Sequence, residues 1–149
     1  MSSTYDYIII GAGSAGCVLA NRLSADHSTR VLLLEAGGSD RTALINVPVG
    51  FQKLLSHSRF NWRFLTGPEP NLGGRRIPIP LGKVLGGSSS INGMLYVRGQ
   101  PLDYDTWAQL DNRGWSFADV LPYFKRAESF ERGGDELRGD SGPLNVVDI

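Results

Sequence analysis

A short apolar run from Tyr5 to Ile10 leads into Gly11-Ala12-Gly13-Ser14-Ala15-Gly16, and a helical pattern starts at Ser14. This order of strand, G-x-G-x-x-G and helix constrains the fold more than any other feature of the chain. The strand is continuously apolar and β-branched, which suits a strand buried on both faces of a parallel sheet. Ala15, Val18, Leu19 and Leu23 share one helical face up to about Ser24. Asp26 to Thr29 reads as a turn, and Arg30 to Glu35 as a second strand around Val31-Leu32-Leu33-Leu34. Residues 1–36 therefore form a β-α-β unit, whose crossover is expected to be right-handed.

Each glycine has a reason. Gly11 makes the tight turn, Gly13 lets backbone approach a diphosphate, and Gly16 lets helix and strand pack closely. The helix start, with Ser14 and Ala15 in its first turn, offers free N–H groups and a partial positive charge. Glu35 follows Gly16 by 19 residues, at the carboxyl end of the second strand, where an acid can accept adenosine ribose hydroxyls. Ala36 gives no positive handle for a 2′-phosphate. A chance glycine run in a turn would lack the flanking strand, the helix and the acid. The motif signals a dinucleotide but does not separate NAD from FAD.

The composition excludes other classes. Fifteen basic and 15 acidic residues balance to zero net charge, so no nucleic-acid footprint or anionic-membrane patch is expected. No stretch approaches the length of a membrane span. The N-terminal run lacks a basic flank, and Asp6 interrupts it, so it is a strand rather than a leader. Cys17 is the single cysteine. It permits no internal disulfide and fits a reducing, cytoplasmic location. No metal-ligating set is expected.

From Gly37 to Leu81 regularity fades under Pro48, Pro68, Pro70, Pro78 and Pro80. Phe51, Phe60, Trp62 and Phe64 mark the region as an ordered excursion over the nucleotide unit. Asp103 or Asp105 is expected to cap a short helix through Leu110. Ser116-Phe117-Ala118-Asp119 has the form of a capping box, opening a helix with Val120, Leu121, Phe124 and Ala127. Pro122 suggests that this helix begins in earnest only there. Glu131 to Ser141 reads as a charged surface loop, and Pro143 to Ile149 as a strand.

A second glycine-rich loop follows at Gly82-Lys83-Val84-Leu85-Gly86-Gly87-Ser88-Ser89-Ser90-Ile91-Asn92-Gly93-Met94. Gly86-Gly87 exposes backbone N–H groups, and the three serines supply hydroxyls to a phosphate or flat ring. It is not a Walker loop, because Val84 follows Lys83 where Ser or Thr belongs. Interleaved Ile79, Leu81, Leu85, Ile91 and Leu95 argue against a flexible linker.

At these residues the chain resembles the glucose-methanol-choline (GMC) family of FAD-dependent oxidoreductases. The signature runs through Gly82-Lys83, Leu85-Gly86-Gly87-Ser88-Ser89, Ile91-Asn92, Tyr96, Gly99 and Asp105. Glu35-Ala36-Gly37, Asn61-Trp62, Val97-Arg98-Gly99, Asp103-Tyr104-Asp105-x-Trp107, Gly114-Trp115-Ser116 and Leu121-Pro122-Tyr123-Phe124 agree. The similarity is closest to the choline- and alcohol-dehydrogenase-like branch.

The resemblance implies an α/β fold: a Rossmann-like FAD-binding domain, incomplete in this chain, with the start of a substrate-binding domain. Residues 37–132 would continue the FAD-binding domain and 133–149 begin the substrate domain. Gly13, Ser14 and Glu35 would hold the ADP half of FAD. Val84, Gly87, Ser88 and Asn92-Gly93-Met94-Leu95 would line the pyrophosphate and isoalloxazine. Ile91 stands where some members carry a tethering histidine, so FAD is expected to be non-covalent.

The implied reaction is oxidation of an alcohol, choline-like, aliphatic or aromatic, by hydride transfer to flavin N5. Oxygen or a respiratory acceptor would take up the electrons. A base needs a pKa near working pH, which favours histidine. His27 and His57 are the only histidines, and both read as surface residues. The family's catalytic histidine lies near the C-terminus of a much longer chain, so no catalytic residue is expected here. The chain reads as an N-terminal part, marginally stable and inactive alone, with an open strand edge after Glu35 and an unfinished strand at Ile149. Two other readings compete: a nicotinamide-dependent dehydrogenase, which leaves the second loop unexplained, and a non-catalytic truncated fragment. Trp62, Trp107 and Trp115 are expected in core or interdomain packing rather than a cation cage, and Arg75-Arg76 in a solvated turn.

Overall fold

The computed structural model describes residues 4–148, which fall into two compact units, Met1–Leu95 and Tyr96–Ile149. The first begins with β1 (Tyr7–Ile10), α1 (Ser14–Leu23) and β2 (Val31–Leu34). β1 and β2 pair in parallel, Tyr7 opposite Val31 and Ile10 opposite Leu34. The β-α-β unit therefore forms where the sequence predicts it.

Its burial differs from expectation. Ile8 and Ile10 on β1 are 59% and 86% exposed, and Val18 and Leu19 on α1 are also more than half exposed. These side chains are apolar, but β1 and β2 form a two-stranded sheet, too narrow to have both faces covered here.

The excursion is ordered, in short pieces: α2 (Ala43–Asn46), α3 (Phe51–Leu54), and an antiparallel pair, β3 (Phe64–Leu65) and β4 (Pro78–Ile79). Pro48 follows α2 and Pro80 follows β4, and proline removes a donor and fixes φ at these ends. The core of this unit is Leu54, Phe60, Val84 and Ile91, with Leu44 and Ile45 packed against it. Arg75 and Arg76 are exposed, just after the turn at Gly73-Gly74, with Arg75 bridged through its backbone to Glu69.

The second unit contains α4 (Pro101–Gln109), α5 (Phe117–Ala127), β5 (Glu128–Phe130) and β6 (Leu144–Val146). α4 begins earlier than the acids suggest. Pro101 takes its first position, and the Asp103 carboxylate accepts the Gln100 N–H at 2.8 Å. Neither aspartate is its N-cap. Asp105 serves the next helix instead, accepting the Phe117 N–H at 3.0 Å. The capping box at α5 forms as expected, with Asp119 N–H to Ser116 Oγ and Ser116 N–H to the Asp119 carboxylate. Pro122 does not delay this helix, which starts at Phe117. With the first turn held from both sides, the missing N–H at Pro122 removes only one bond.

Tyr104 joins the two helices, meeting Phe124 edge-on at 5.6 Å between ring centroids. β5 is not legible in the sequence; it pairs in parallel with β6. The expected last strand is thus three residues long, and its proposed end at Ile149 lies outside the described residues.

Glu128, the first residue of β5, is fully buried. Its carboxylate accepts Arg138 Nη1 at 2.7 Å, the Gly139 N–H at 3.0 Å and Arg98 Nη2. The segment 131–141 is therefore a surface loop tied to a buried acid.

Candidate functional site

The two glycine loops, far apart in sequence, meet backbone to backbone. The Gly86 N–H donates to the Ala12 carbonyl at 2.7 Å. A Cβ on Gly87 would sit 2.8 Å from Gly13 Cα, and Gly87 has φ +58°, so only glycine suits this contact. Gly16 is equally constrained, since a Cβ there would fall 1.9 Å from the Gly11 carbonyl oxygen. This is the close helix–strand packing expected of the third glycine.

Together these loops border a cavity of about 640 Å³. Gly11, Gly13, Glu35, Ala36, Gly87 and Ser88 line it, so six residues singled out in the sequence converge there. Gly13 caps α1 without a side-chain bond, and Ser14 and Ala15 form the first turn. The first N–H groups of a helix have no partner within it.

Ile10, Leu34, Trp62, Phe64, Leu81 and Gly82 complete the wall. Trp62 and Phe64 stack at 5.8 Å and 5° between planes, and Lys83 Nζ lies 4.6 Å from the Trp62 ring. Sequence reasoning missed this aromatic wall, though Asn61-Trp62 was among the family-like dipeptides. The 2%-exposed Asn61 explains the placement. Its Nδ2 donates to the Leu55 carbonyl, and its Oδ1 accepts the N–H groups of Arg63 and Leu81. Trp62 and Leu81, the residues beside and opposite that amide, are thereby held at one wall.

Trp62 is 42% exposed, Trp107 46% and Trp115 53%. None is a core residue of its own unit, so the core half of the expected core or interdomain packing does not hold. Trp107 and Trp115 instead meet edge-on at 5.9 Å.

Other expected site residues lie elsewhere. Val84 is fully buried in the core and presents no side chain to the large cavity. Asn92 and Met94 line a smaller recess with Ile45, Pro48 and Phe51. A Cβ on Gly93 would touch the edge of the Phe51 ring, and Leu95 is exposed. Met94 has φ +59°, an uncommon conformation for a side chain-bearing residue, with its N–H on Asn92 Oδ1 at 3.0 Å.

The serines act differently from expectation. Ser89 and Ser90 donate their hydroxyls to the Gly86 and Leu85 carbonyls at 2.6 and 2.7 Å, and so brace the loop. Ser88 Oγ accepts the Gly82 N–H, which leaves its own proton to donate at the cavity wall. His27 is exposed; His57 is half-buried against Phe60, and neither lines the cavity.

Residues 5–148 match the family model described as GMC oxidoreductase. The chain belongs to the GMC oxidoreductase family. It is 54% identical over 146 residues to an oxygen-dependent choline dehydrogenase of Photobacterium profundum, covering 98% of this chain and 26% of that protein. Among solved structures it is similar to pyridoxine 4-oxidase from Mesorbium loti, with TM-score 0.88 and 37% identity over 95% of this chain and 28% of that one. An FAD-dependent oxidoreductase from Chaetomium thermophilum gives TM-score 0.80 and 34% identity, over 97% and 26% of the respective chains. The chain thus spans about a quarter of the length of the curated relatives it matches. No described helix is long and apolar enough to cross a membrane.

Proposed function

We propose that this chain is the FAD-binding part of an oxidoreductase acting on CH–OH groups, with a choline-like alcohol as the first substrate class to test. The observation that carries the reading is one cavity bordered by both glycine loops and Glu35. Its residues fit a long dinucleotide. The start of α1, at Gly13, Ser14, Ala15 and Gly16, holds the diphosphate through backbone N–H groups. Glu35 accepts ribose hydroxyls beside the neutral Ala36. Gly86, Gly87 and Ser88 approach from the second loop; Asn92, Gly93, Met94 and Leu95 lie outside that cavity and would border the isoalloxazine by the family resemblance.

The chemistry such a group supplies is acceptance of a hydride at flavin N5 from the carbinol carbon. The residues of this chain bind and orient; the base that takes the hydroxyl proton is not among them. FAD is non-covalent, because Ile91 offers no nucleophile and is 2% exposed in the core. Residues 1–132 serve the cofactor and 133–149 begin the substrate part. The name of the curated relatives favours oxygen over a respiratory acceptor, and the protein is cytoplasmic.

Visible absorbance of the purified protein tests the reading. A flavin spectrum, with the flavin released into the supernatant on acid precipitation, is expected. A colourless protein that takes up no added FAD overturns it. Flavin retained in the precipitate overturns the non-covalent assignment alone. Oxygen uptake with choline, compared with aliphatic and aromatic alcohols, tests the substrate and acceptor.

A further inference from the structure

We infer that Glu35 is a positioning residue that fixes the shape of both glycine loops before any ligand arrives. Its two oxygens are already engaged. Oε2 accepts the Ala12 N–H at 2.8 Å and Oε1 accepts the Gly37 N–H at 2.7 Å. Ala12 is fully buried at the centre of the first loop. The carbonyl of the same residue accepts the Gly86 N–H of the second loop at 2.7 Å. Gly37 provides another link, for a Cβ there would fall 2.1 Å from the Lys83 carbonyl, where the second loop begins. One carboxylate therefore ties together the end of β2, the first loop and, through Ala12 and Gly37, the second loop.

This role is compatible with holding a ribose. An ionised carboxylate offers about four lone-pair positions. Two are occupied by backbone, and two remain for hydroxyls. Glutamine cannot reproduce the arrangement, since its amide nitrogen would face an N–H group with another donor. Aspartate is one methylene shorter, and loses reach to one of the two amides. The inference rests on the nucleotide reading only for what the loops receive; the bracing is independent of it.

Residue-resolved amide hydrogen exchange on the nucleotide-free protein tests it. In the wild type the Ala12 and Gly37 amides should be protected with no ligand present, and rapid exchange at both overturns the inference even if no variant folds. In Glu35→Gln, exchange at Ala12, Gly37 and Gly86 should rise by about tenfold or more. The Thr66 amide, bonded to Ile77 in the hairpin, should be unchanged. A residue serving ribose alone would leave the three loop amides as they were, and that result also overturns the inference.

Inorganic pyrophosphate gives a second readout, because it has no ribose. Removing a negative charge should by itself tighten anion binding. Loss of the brace predicts the opposite, about tenfold weaker binding in Glu35→Gln. Equal or tighter binding overturns the inference. If the wild type takes neither FAD nor pyrophosphate while Ala12 and Gly37 stay protected, the nucleotide reading fails and the bracing stands.

Discussion

The two units solve opposite problems. In residues 4–95 the important groups are backbone: glycines in contact, N–H groups at a helix start, and a cavity whose wall includes a partly exposed tryptophan. In residues 96–148 the important groups are charged side chains turned on one another around Glu128. The first arrangement leaves donors available to a ligand. The second consumes them, since the Glu128 carboxylate accepts from Arg98, from Arg138 and from the Gly139 N–H. A binding site and a structural tie are thus distinguished by what is left unpaired, rather than by how polar they are.

The largest expected effect lies in the second unit. Glu128→Ala leaves Arg98, whose side chain is 12% exposed, without its acid. Removing one partner of a buried pair costs about 3–5 kcal/mol. Urea unfolding should show a loss of that order; a loss below ~1 kcal/mol would make the cluster no more than a surface pair and break the contrast.

Gly87→Ala attacks the first unit where its two loops touch. A left-handed φ costs about 1–2 kcal/mol, and the added Cβ must also displace Gly13. FAD affinity should fall by about tenfold or more, measured by fluorescence titration with free flavin. Unchanged affinity would remove the loop contact from the site.

Ser116→Ala removes the N-cap of α5 and should cost about 1 kcal/mol in the same unfolding experiment, without altering FAD affinity. This sharpens the comparison by separating a stability effect from a binding effect.

The smallest effect concerns pH. The Leu137 N–H and then the Arg138 N–H hold the Asp135 carboxyl below its ordinary value of 3.8. Its native form is thus favoured above that value, and the contribution is lost as pH falls through the lower native pKa. Asp135→Asn should lower the melting temperature slightly at neutral pH and flatten the acid limb below about pH 4, so that the two profiles converge in acid. Asp135 is solvent-exposed, so the difference is small.

The readable part of the fold was local. Gly11, Gly13 and Gly16 between two apolar runs specify β1-α1-β2, because tight turn, close approach and helix start all act within a few residues. Ser116 and Asp119 specify the start of α5 for the same reason. Glu128 carried no sequence signal: it follows a helix in an ordinary charged stretch, and its partners Arg98 and Arg138 lie 30 and 10 residues away. The sequence places Trp62 in packing, because its place at the cavity wall depends on what Asn61 holds across the hairpin. The resemblance implies a ligand role for Val84, and the structure buries its side chain in the core, because a motif does not say which way a side chain faces.

The sequence by itself determined a β-α-β nucleotide unit, a second glycine loop and the family to which both belong. Backbone chemistry sets these features, and glycine, proline and capping residues write it into short stretches. Only the tertiary structure decided that the loops touch through Gly13 and Gly87, that Glu35 braces them, and that Glu128 is buried. Those facts depend on distances between segments, which no local pattern encodes.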